Sequence, residues 1–278
     1  MEMVNQIRSP AKAYEIALQS GEAKVKCPLW ALAVKAVMGG FFAALGGHAA
    51  MVLASQYYDA GNAGTAKLAF GVIFSGALVC IMYTGADLVT SNCMNFSLLA
   101  YARRVTPLNY VIRMSTSLLG NYVGAIFGAV ALTSGTGFFM ETNPVGHKYL
   151  MSLYQFKLSL PFWRVICSAL GCNCYVCMAV WASYVTLDSA GSIMAMILLI
   201  TSFAVAGFEH IVANFYTLHA ALFSVSPTSA ADVYGSNFVP TLIGNFLAGS
   251  VLIGLPIHLL YGLNKKTEMA SPHGITVI

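Results

Sequence analysis

Charged residues are scarce in this chain of 278 residues. Aspartate, glutamate, lysine and arginine make up 9% of it, whereas an ordinary soluble domain carries about 25%. Hydrophobic residues make up 58%, and the mean hydropathy is +0.73. The scarcity of charge excludes an ordinary soluble protein and leaves no room for a separate soluble domain. The composition predicts instead a chain whose main solvent is lipid.

Long apolar stretches take the place of the missing charge. One membrane-spanning helix needs about 20 apolar residues, and six such stretches lie at residues 28–56, 68–100, 108–139, 158–185, 192–224 and 237–263. We therefore expect an all-α membrane protein with six transmembrane helices over residues 28–263. Residues 1–27 form an arm that mixes acids and bases without an apolar core, so no cleavable signal peptide is expected. Residues 264–278 form a tail.

Basic residues are concentrated on one side of this arrangement. The arm, the link after the second stretch and the tail hold most of them, namely Arg8, Lys12, Lys24, Lys26, Arg103, Arg104, Lys265 and Lys266. The links on the opposite side hold Lys67, Lys148 and Lys157. The positive-inside bias then places both termini in the cytoplasm, in a plasma or inner membrane. These residues indicate topology, and no nucleic acid is expected as a partner.

Ser9 and Pro10 begin a helix in the arm. Ser9 can cap it and Pro10 suits its first position. We expect a short amphipathic helix through about Ser20 that ends at Gly21. Its mixed composition suits the cytoplasmic membrane interface, and gating, packing and anchoring all remain open as its role.

Converging metal ligands are lacking. Cys172, Cys174 and Cys177 lie close together in the fourth stretch, but residues two apart point about 200° apart on a helix. They are therefore expected to pack as small apolar residues. The histidines show no spacing that would bring two of them together. We expect neither a metal nor a cofactor, and a protein that is not an enzyme, rather than a membrane redox enzyme with histidine and cysteine ligands.

The two halves of the sequence resemble each other. Residues 85–92 and 207–214 each consist of a glycine, a carboxylate two residues later and an asparagine seven residues later. A Gly-Asn pair at residues 120–121 matches another at residues 244–245. These matches predict two repeats of three helices. Because three is odd, the second repeat enters the membrane inverted, and in such transporters the site lies near the midplane, where interrupted helices meet.

Asp87 and Glu209 lie inside these apolar stretches, where an ionised group costs at least ~2.5 kcal/mol. They should therefore face protein or water. Gly85 and Gly207 precede them, and glycine tolerates the irregular backbone that survives at membrane depth when protein encloses it. We expect helices two and five to be interrupted there. Packing glycines in continuous helices are the alternative.

His210 follows Glu209 in the middle of the fifth stretch, and Asn214 lies one turn later on the same face. A buried histidine tends to be neutral, and it can donate a hydrogen bond or gain a proton as an anion approaches. This behaviour suits passage of a weak-acid anion through an apolar constriction. The alternative is a packed histidine that is bonded to a backbone carbonyl.

Both motif segments are similar to the two signature segments of the formate/nitrite transporter family. Further matches to the family pattern lie along nearly the whole chain, at residues 9–11, 66–68, 120–121, 173–181 and 244–245. The resemblance implies an aquaporin-like protomer of six helices in a lipid bilayer. It also implies a homopentamer with one pore in each protomer.

The resemblance implies a role for each site residue. His210 would be the central histidine, with Thr90 as its gating hydrogen-bond partner in a loop from Leu88 to Ser91. Lys157 would attract anions in the vestibule. The pore-lining and constriction positions are Phe74, Leu78, Phe203, Asn173 and Val176.

The predicted function is a channel or transporter for small monovalent weak-acid anions, with formate or nitrite first and hydrosulfide or short carboxylates next. Val89 stands where formate channels commonly carry phenylalanine, so the shape of the cytoplasmic constriction and the substrate stay open, as does coupling to protons. A water or small-solute channel is the alternative. Its paired Asn-Pro-Ala turns are lacking, and the nearest triplet, at residues 143–145, is expected in an external loop. A non-conducting scaffold would have no use for costly buried acids.

Overall fold

Each apolar stretch forms helix in the computed structural model, which describes residues 7–224 and 230–263. The described residues form ten helices: α1 Pro10–Lys26, α2 Leu29–Asp59, α3 Ala63–Thr84, α4 Val89–Tyr101, α5 Pro107–Ser134, α6 Pro144–Ser159, α7 Phe162–Val185, α8 Ser189–Ala206, α9 Ile211–Ser224 and α10 Ala230–Tyr261. No β-strand occurs in these two ranges. The prediction of an all-α protein is confirmed.

Six of the described helices are long and apolar enough to cross a membrane, namely α2, α3, α5, α7, α8 and α10. This number matches the prediction. α2 packs between α3 and α5, while α7 packs between α8 and α10. α3 also packs against α8 and so joins the two groups. The inverted relation of the two groups stays a prediction.

Close approach between α2 and α5 depends on glycine, as is common between membrane helices. A Cβ added to Gly40 would lie 2.0 Å from the carbonyl oxygen of Asn121. A Cβ added to Gly124 would lie 2.0 Å from the carbonyl oxygen of Val37. Larger side chains would push the two helices apart. The approach matters because α5 carries Asn121, which contacts the first helix interruption.

The arm helix α1 packs against the bundle. Ser9 caps it by accepting a backbone hydrogen bond, as predicted. The predicted end at Gly21 is wrong, because the helix continues to Lys26. A Cβ on Gly21 would lie 3.0 Å from Leu99 of α4, so this glycine serves a helix contact rather than a helix end. The helix stops just before Pro28, whose ring disfavours helical backbone in the preceding residue.

Helix α6 has no counterpart among the predicted spans. The expectation of an external loop at residues 143–145 is wrong, because Asn143 caps α6 through the N–H of Gly146 at 3.4 Å and Pro144 starts the first turn. An Asn-Pro pair signals a helix start as readily as a turn. The fourth span consequently begins at Phe162 rather than at residue 158.

Candidate functional site

Two glycines end helices inside the bundle. Gly85 ends α3 with a φ of 71°, and Gly207 ends α8 with a φ of 72°. This left-handed conformation costs glycine little. Residues 85–88 and 207–210 are not helical, and α4 and α9 begin directly after them. The interruptions predicted for the second and fifth spans are present, and the alternative of continuous helices is wrong.

Asn121 of α5 holds the first interruption. Its side-chain nitrogen donates to the carbonyl oxygen of Ala36 at 2.7 Å and to that of Asp87 at 2.8 Å. Its side-chain oxygen accepts from the N–H of Val89 at 2.8 Å. The first N–H groups of a helix have no partner within it, and the residue before α4 provides no side-chain cap. Asn121 supplies that missing cap from a neighbouring helix.

Asn245 of α10 makes the same bonds at the second interruption. Its nitrogen donates to the carbonyl oxygens of Ala169 at 2.8 Å and Glu209 at 3.0 Å, and its oxygen accepts from the N–H of Ile211 at 2.9 Å. Sequence reasoning matched the two Gly-Asn pairs but missed this function. The repetition of the pair was the available signal, whereas the backbone partners are contributed by distant parts of the chain.

Asp87 is buried, and its charge is compensated. Lys24 of α1 places Nζ 2.8 Å from a carboxylate oxygen. Asn92 donates to the two oxygens at 3.0 and 2.8 Å, and Ser117 also donates to the carboxylate. Breaking such a buried pair by removing one partner is strongly destabilising. The sequence indicated Lys24 only as a topology signal, because α1 must fold back onto the bundle to make this contact.

Glu209 has an equivalent set of partners. Lys157 of α6 donates to its two oxygens at 3.0 and 2.9 Å and to Asn214 at 2.9 Å. Asn214 and Asn237 donate to Glu209 Oε2 at 2.6 and 3.1 Å. The side chain of Lys157 is 13% exposed, and that of Glu209 is 0% exposed. The predicted vestibule lysine therefore lies beside the second interruption, with its charge matched by a carboxylate.

His210 caps helix α9. Its Nδ1 accepts a hydrogen bond from the N–H of Ala213 at 3.1 Å, which is the bond that an N-cap side chain provides. Nδ1 therefore presents a lone pair, and the proton of the neutral ring lies on Nε2. Nε2 is 3.0 Å from Thr90 Oγ1 and donates to it. Phe203 stacks on the ring, with centroids 6.0 Å apart. The alternative hypothesis is a packed histidine that is bonded to a backbone carbonyl, and the partners of the His210 ring are different from that.

Three cavities lie one after another among the residues that the structure describes. The far-side cavity has a volume of about 310 Å³ and adjoins Lys157 and Glu209. The arm-side cavity has a volume of about 240 Å³ and adjoins Lys24 and Asp87. Between them lies the central chamber, of about 20 Å³, which adjoins His210. The central chamber has room for about one water molecule, so the passage is narrow in this state.

Apolar side chains separate the three cavities. Phe74 and Phe203 line both the far-side cavity and the central chamber, and their rings meet edge to face with centroids 6.2 Å apart. Leu78, Ile81 and Leu88 line both the central chamber and the arm-side cavity. The predicted constriction residues are thus brought together. Ile81 was missed, although it lies one turn after Leu78 on the same face of α3.

Val176 of α7 also lines the central chamber, but three other predicted residues lie behind the lining. Thr90, Val89 and Asn173 line none of the three cavities, and all three are buried. Asn173 donates instead to the carbonyl oxygens of Thr90 at 3.1 Å and Asn245 at 2.6 Å. Asn173 therefore binds the first turn of α4, which faces His210. The loop expected from Leu88 to Ser91 is shorter than predicted, because Val89 to Ser91 already belong to α4.

Metal-ligating side chains do not gather in the part of the chain that the structure describes, where no three His, Cys, Asp or Glu residues are placed to hold an ion. Cys172 and Cys177 are buried free thiols. The Sγ of Cys177 contacts the carbonyl oxygen of Thr90 at 3.7 Å. Of the cysteines in α7, Cys177 thus packs against the site.

Comparison with known proteins defines the family. The sequence profile described as formate/nitrite transporter matches residues 11–259. This chain belongs to the formate/nitrite transporter family. It is 37% identical to Formate-nitrite transporter 3 of Toxoplasma gondii over 249 residues, which cover 87% of this chain and 49% of that protein. It is 32% identical to the Formate-nitrite transporter of Plasmodium vivax over 259 residues, which cover 90% of this chain and 83% of that protein. The chain spans about half the length of the Toxoplasma relative.

Two solved structures share the fold of this member of the formate/nitrite transporter family. An FNT family ion channel matches with a TM-score of 0.79 and 23% identity over 90% of this chain and 98% of that one. A pentameric formate channel with formate bound matches with a TM-score of 0.73 and 23% identity over 84% of this chain and 97% of that one. These relatives are named as transporters and channels and not as enzymes.

Proposed function

We propose that this protein is a channel for small monovalent weak-acid anions, with one pore in each protomer. The pore runs from the far-side cavity through the central chamber to the arm-side cavity. The proposal rests on the lining of the central chamber, because the one polar side chain among its described lining residues is His210. Formate or nitrite is the first candidate substrate, in keeping with the names of the relatives, and hydrosulfide or short carboxylates come next.

The apolar lining dictates how an anion would cross. Burying an unpaired charge is costly, whereas a neutral weak acid or a hydrogen-bonded anion meets a smaller barrier. The Nε2–H of His210 now donates to Thr90 Oγ1 at 3.0 Å. We expect the anion or neutral acid that passes through the central chamber to accept this hydrogen bond in place of Thr90. The exchange leaves the ring neutral and helix α9 capped.

The proton comes from water in this proposal rather than from His210. Protonating the ring would place a proton on Nδ1, where the N–H of Ala213 now donates, so the cap of α9 would be lost. It would also create a cation in an apolar chamber. The anion should therefore meet its proton in the far-side or the arm-side cavity. Proton and anion then move in the same direction.

Assembly and orientation complete the proposal. The protein forms a homopentamer in the bilayer, by analogy with the relative that is named pentameric, and both termini face the cytoplasm. Arg103 and Arg104 follow α4 on the same side as the arm, as Arg104 bonds to Glu22 of α1 at 2.9 Å. This cluster agrees with the positive-inside bias. The arm-side cavity then opens to the cytoplasm.

Reconstitution tests the proposal. Liposomes that contain the purified protein should take up formate and nitrite faster than empty liposomes, and faster at acidic than at neutral pH. A pH-sensitive dye inside them should report acidification that accompanies uptake. Water flux in stopped-flow swelling without anion uptake would instead favour the water or small-solute channel.

A further inference from the structure

The far-side and arm-side cavities have the same charge composition. Each is lined by two lysines and one carboxylate, so each carries a net formal charge of one positive unit. The far-side set is Lys67, Lys157 and Glu209, and the arm-side set is Lys24, Lys35 and Asp87. Within each set, one lysine is bound to the carboxylate and the other is not.

Lys157 and Lys24 are the bound lysines. Their Nζ atoms lie 2.9 Å from Glu209 and 2.8 Å from Asp87, and their side chains are 13% and 23% exposed. An ion pair presents little net charge to an approaching anion, because the carboxylate repels what the lysine attracts. The attraction predicted for Lys157 is therefore largely cancelled by Glu209.

Lys67 and Lys35 are exposed, and neither has an ion-pair or hydrogen-bond partner for its ammonium among residues 7–224 and 230–263. Both adjoin a helix interruption. A Cβ built on Gly207 would lie 3.7 Å from Nζ of Lys67. The carbonyl oxygen of Lys35 accepts a hydrogen bond from the N–H of Asp87 at 2.9 Å. Because each lysine also lines its cavity, each uncompensated charge lies on the approach to the central chamber.

We propose that Lys67 and Lys35 are the anion-attracting residues of the two cavities, each forming a weak anion-binding site at one entrance to the central chamber. Lys157 and Lys24 hold the buried carboxylates instead. The inference rests on the proposed anion channel. A free ammonium in a cleft with apolar walls raises the local anion concentration. Entry from either side is then assisted by one residue outside the ion-paired clusters.

Removal of each charge at low salt tests the inference. At about 0.01 M salt, where the screening length is about 30 Å, Lys67→Gln and Lys35→Gln should each lower formate uptake about threefold to tenfold, as expected for one nearby unit charge in a water-filled cavity. The difference should vanish near 1 M salt, where the screening length is about 3 Å. The corresponding arginine variants should keep wild-type uptake.

A matched control is available in Lys148→Gln. Lys148 is an exposed lysine that pairs with Asp59 at 2.8 Å and lines neither cavity. Its replacement should leave uptake unchanged at both salt concentrations. Lys157→Gln should behave differently from all of these variants. It leaves Glu209 as an unpaired buried anion, so it should lower uptake at low and high salt alike.

Chemical restoration of charge separates electrostatics from side-chain shape. In Lys67→Cys and Lys35→Cys, a methanethiosulfonate reagent that carries an ammonium should restore low-salt uptake, and one that carries a sulfonate should lower it further. An impermeant reagent applied to one face of the membrane should act on one of the two variants and not on the other. Treated wild type controls for Cys80 and Cys167, which are exposed, and for Cys27, which lines the arm-side cavity.

The outcomes distinguish this inference from the proposed function. If wild type takes up formate and both glutamine variants match it at low salt, the assignment of Lys67 and Lys35 is overturned and the channel remains. If the sulfonate and the ammonium reagent act alike on both cysteine variants, the attraction is not electrostatic and the assignment also fails. If wild type takes up no anion, both proposals are overturned.

Discussion

At the scale of single residues, His210 has two hydrogen bonds with different consequences. The bond from the N–H of Ala213 to Nδ1 stabilises α9, and the bond from Nε2 to Thr90 orients the Nε2–H group of His210. His210→Ala removes both and should lower the free energy of unfolding by at least about 1 kcal/mol, the usual contribution of a cap, whereas His210→Asn can still cap the helix and should be destabilised less. Denaturant unfolding in detergent measures the difference. Equal destabilisation in the two variants would contradict the cap.

The sequence located Asp87, Glu209 and His210 because a polar residue in a long apolar stretch is conspicuous. It could not locate Lys24 as the partner of Asp87, because that contact depends on how α1 folds back onto the bundle. It also placed Asn173 in the pore lining, whereas this amide binds backbone carbonyls behind the lining. A polar residue inside a membrane protein can serve the passage or the backbone, and sequence alone does not distinguish these uses.

At the scale of helices, the left-handed backbone at Gly85 can be tested in isolation. A Cβ on Gly85 would meet nothing within 4 Å, so Gly85→Ala carries only the conformational cost of about 1–2 kcal/mol. Gly76 of the same helix also has space for a Cβ but has helical backbone, so Gly76→Ala should be neutral or slightly stabilising. Thermal unfolding should separate the two variants. Identical melting curves would contradict the role of Gly85 as a helix end.

The docking of the arm helix should depend on pH. The hydrogen bond from Arg104 holds the pKa of the Glu22 carboxyl below its usual value. A carboxyl with a lowered pKa stabilises the docked arm fully above its ordinary pKa of about 4.3. This stabilisation is lost as the pH falls through the lowered pKa. The mobility of a spin label on α1 should rise in that window in wild type. The mobility should not change with pH in Glu22→Gln. If it did not change in wild type either, the Glu22–Arg104 pair would not stabilise the docking of α1.

The helices that sequence reasoning misjudged share a cause. Gly21 and Asn143 carry local signals that have two interpretations, since glycine marks either a helix end or a close contact, and Asn-Pro marks either a turn or a helix start. Tertiary contacts decide between them, as the packing of Gly21 against Leu99 shows. The two interruptions were predictable because a glycine and a carboxylate occur together at both places.

At the scale of the whole molecule, apolar side chains cover much of the outside. Trp30 is 73% exposed, and Leu108 and Met194 are each 70% exposed. Such a surface suits acyl chains or a neighbouring protomer. In the proposed pentamer with a pore in each protomer, mixing wild type with an inactive variant should lower flux in proportion to the inactive fraction. Native mass spectrometry should show five protomers, and a steep, dominant loss of flux would indicate one shared pore instead.

The two halves make matching contacts but are not equivalent. Asn121 and Asn245 bind the two interruptions in the same way, which supports the predicted repeat. The position that corresponds to His210 is occupied by Leu88, so only the second interruption offers an imidazole to the central chamber. The proposed anion pathway depends on this asymmetry.

Formate uptake by proteoliposomes, measured side by side for wild type and His210→Phe, tests the anion pathway most directly. Phenylalanine keeps the central chamber apolar and removes the Nε2–H donor. We expect wild type to take up formate well above empty liposomes and the assembled His210→Phe pentamer to fall to that background. Equal uptake by the two proteins, or background uptake by wild type, would contradict an anion pathway through the central chamber.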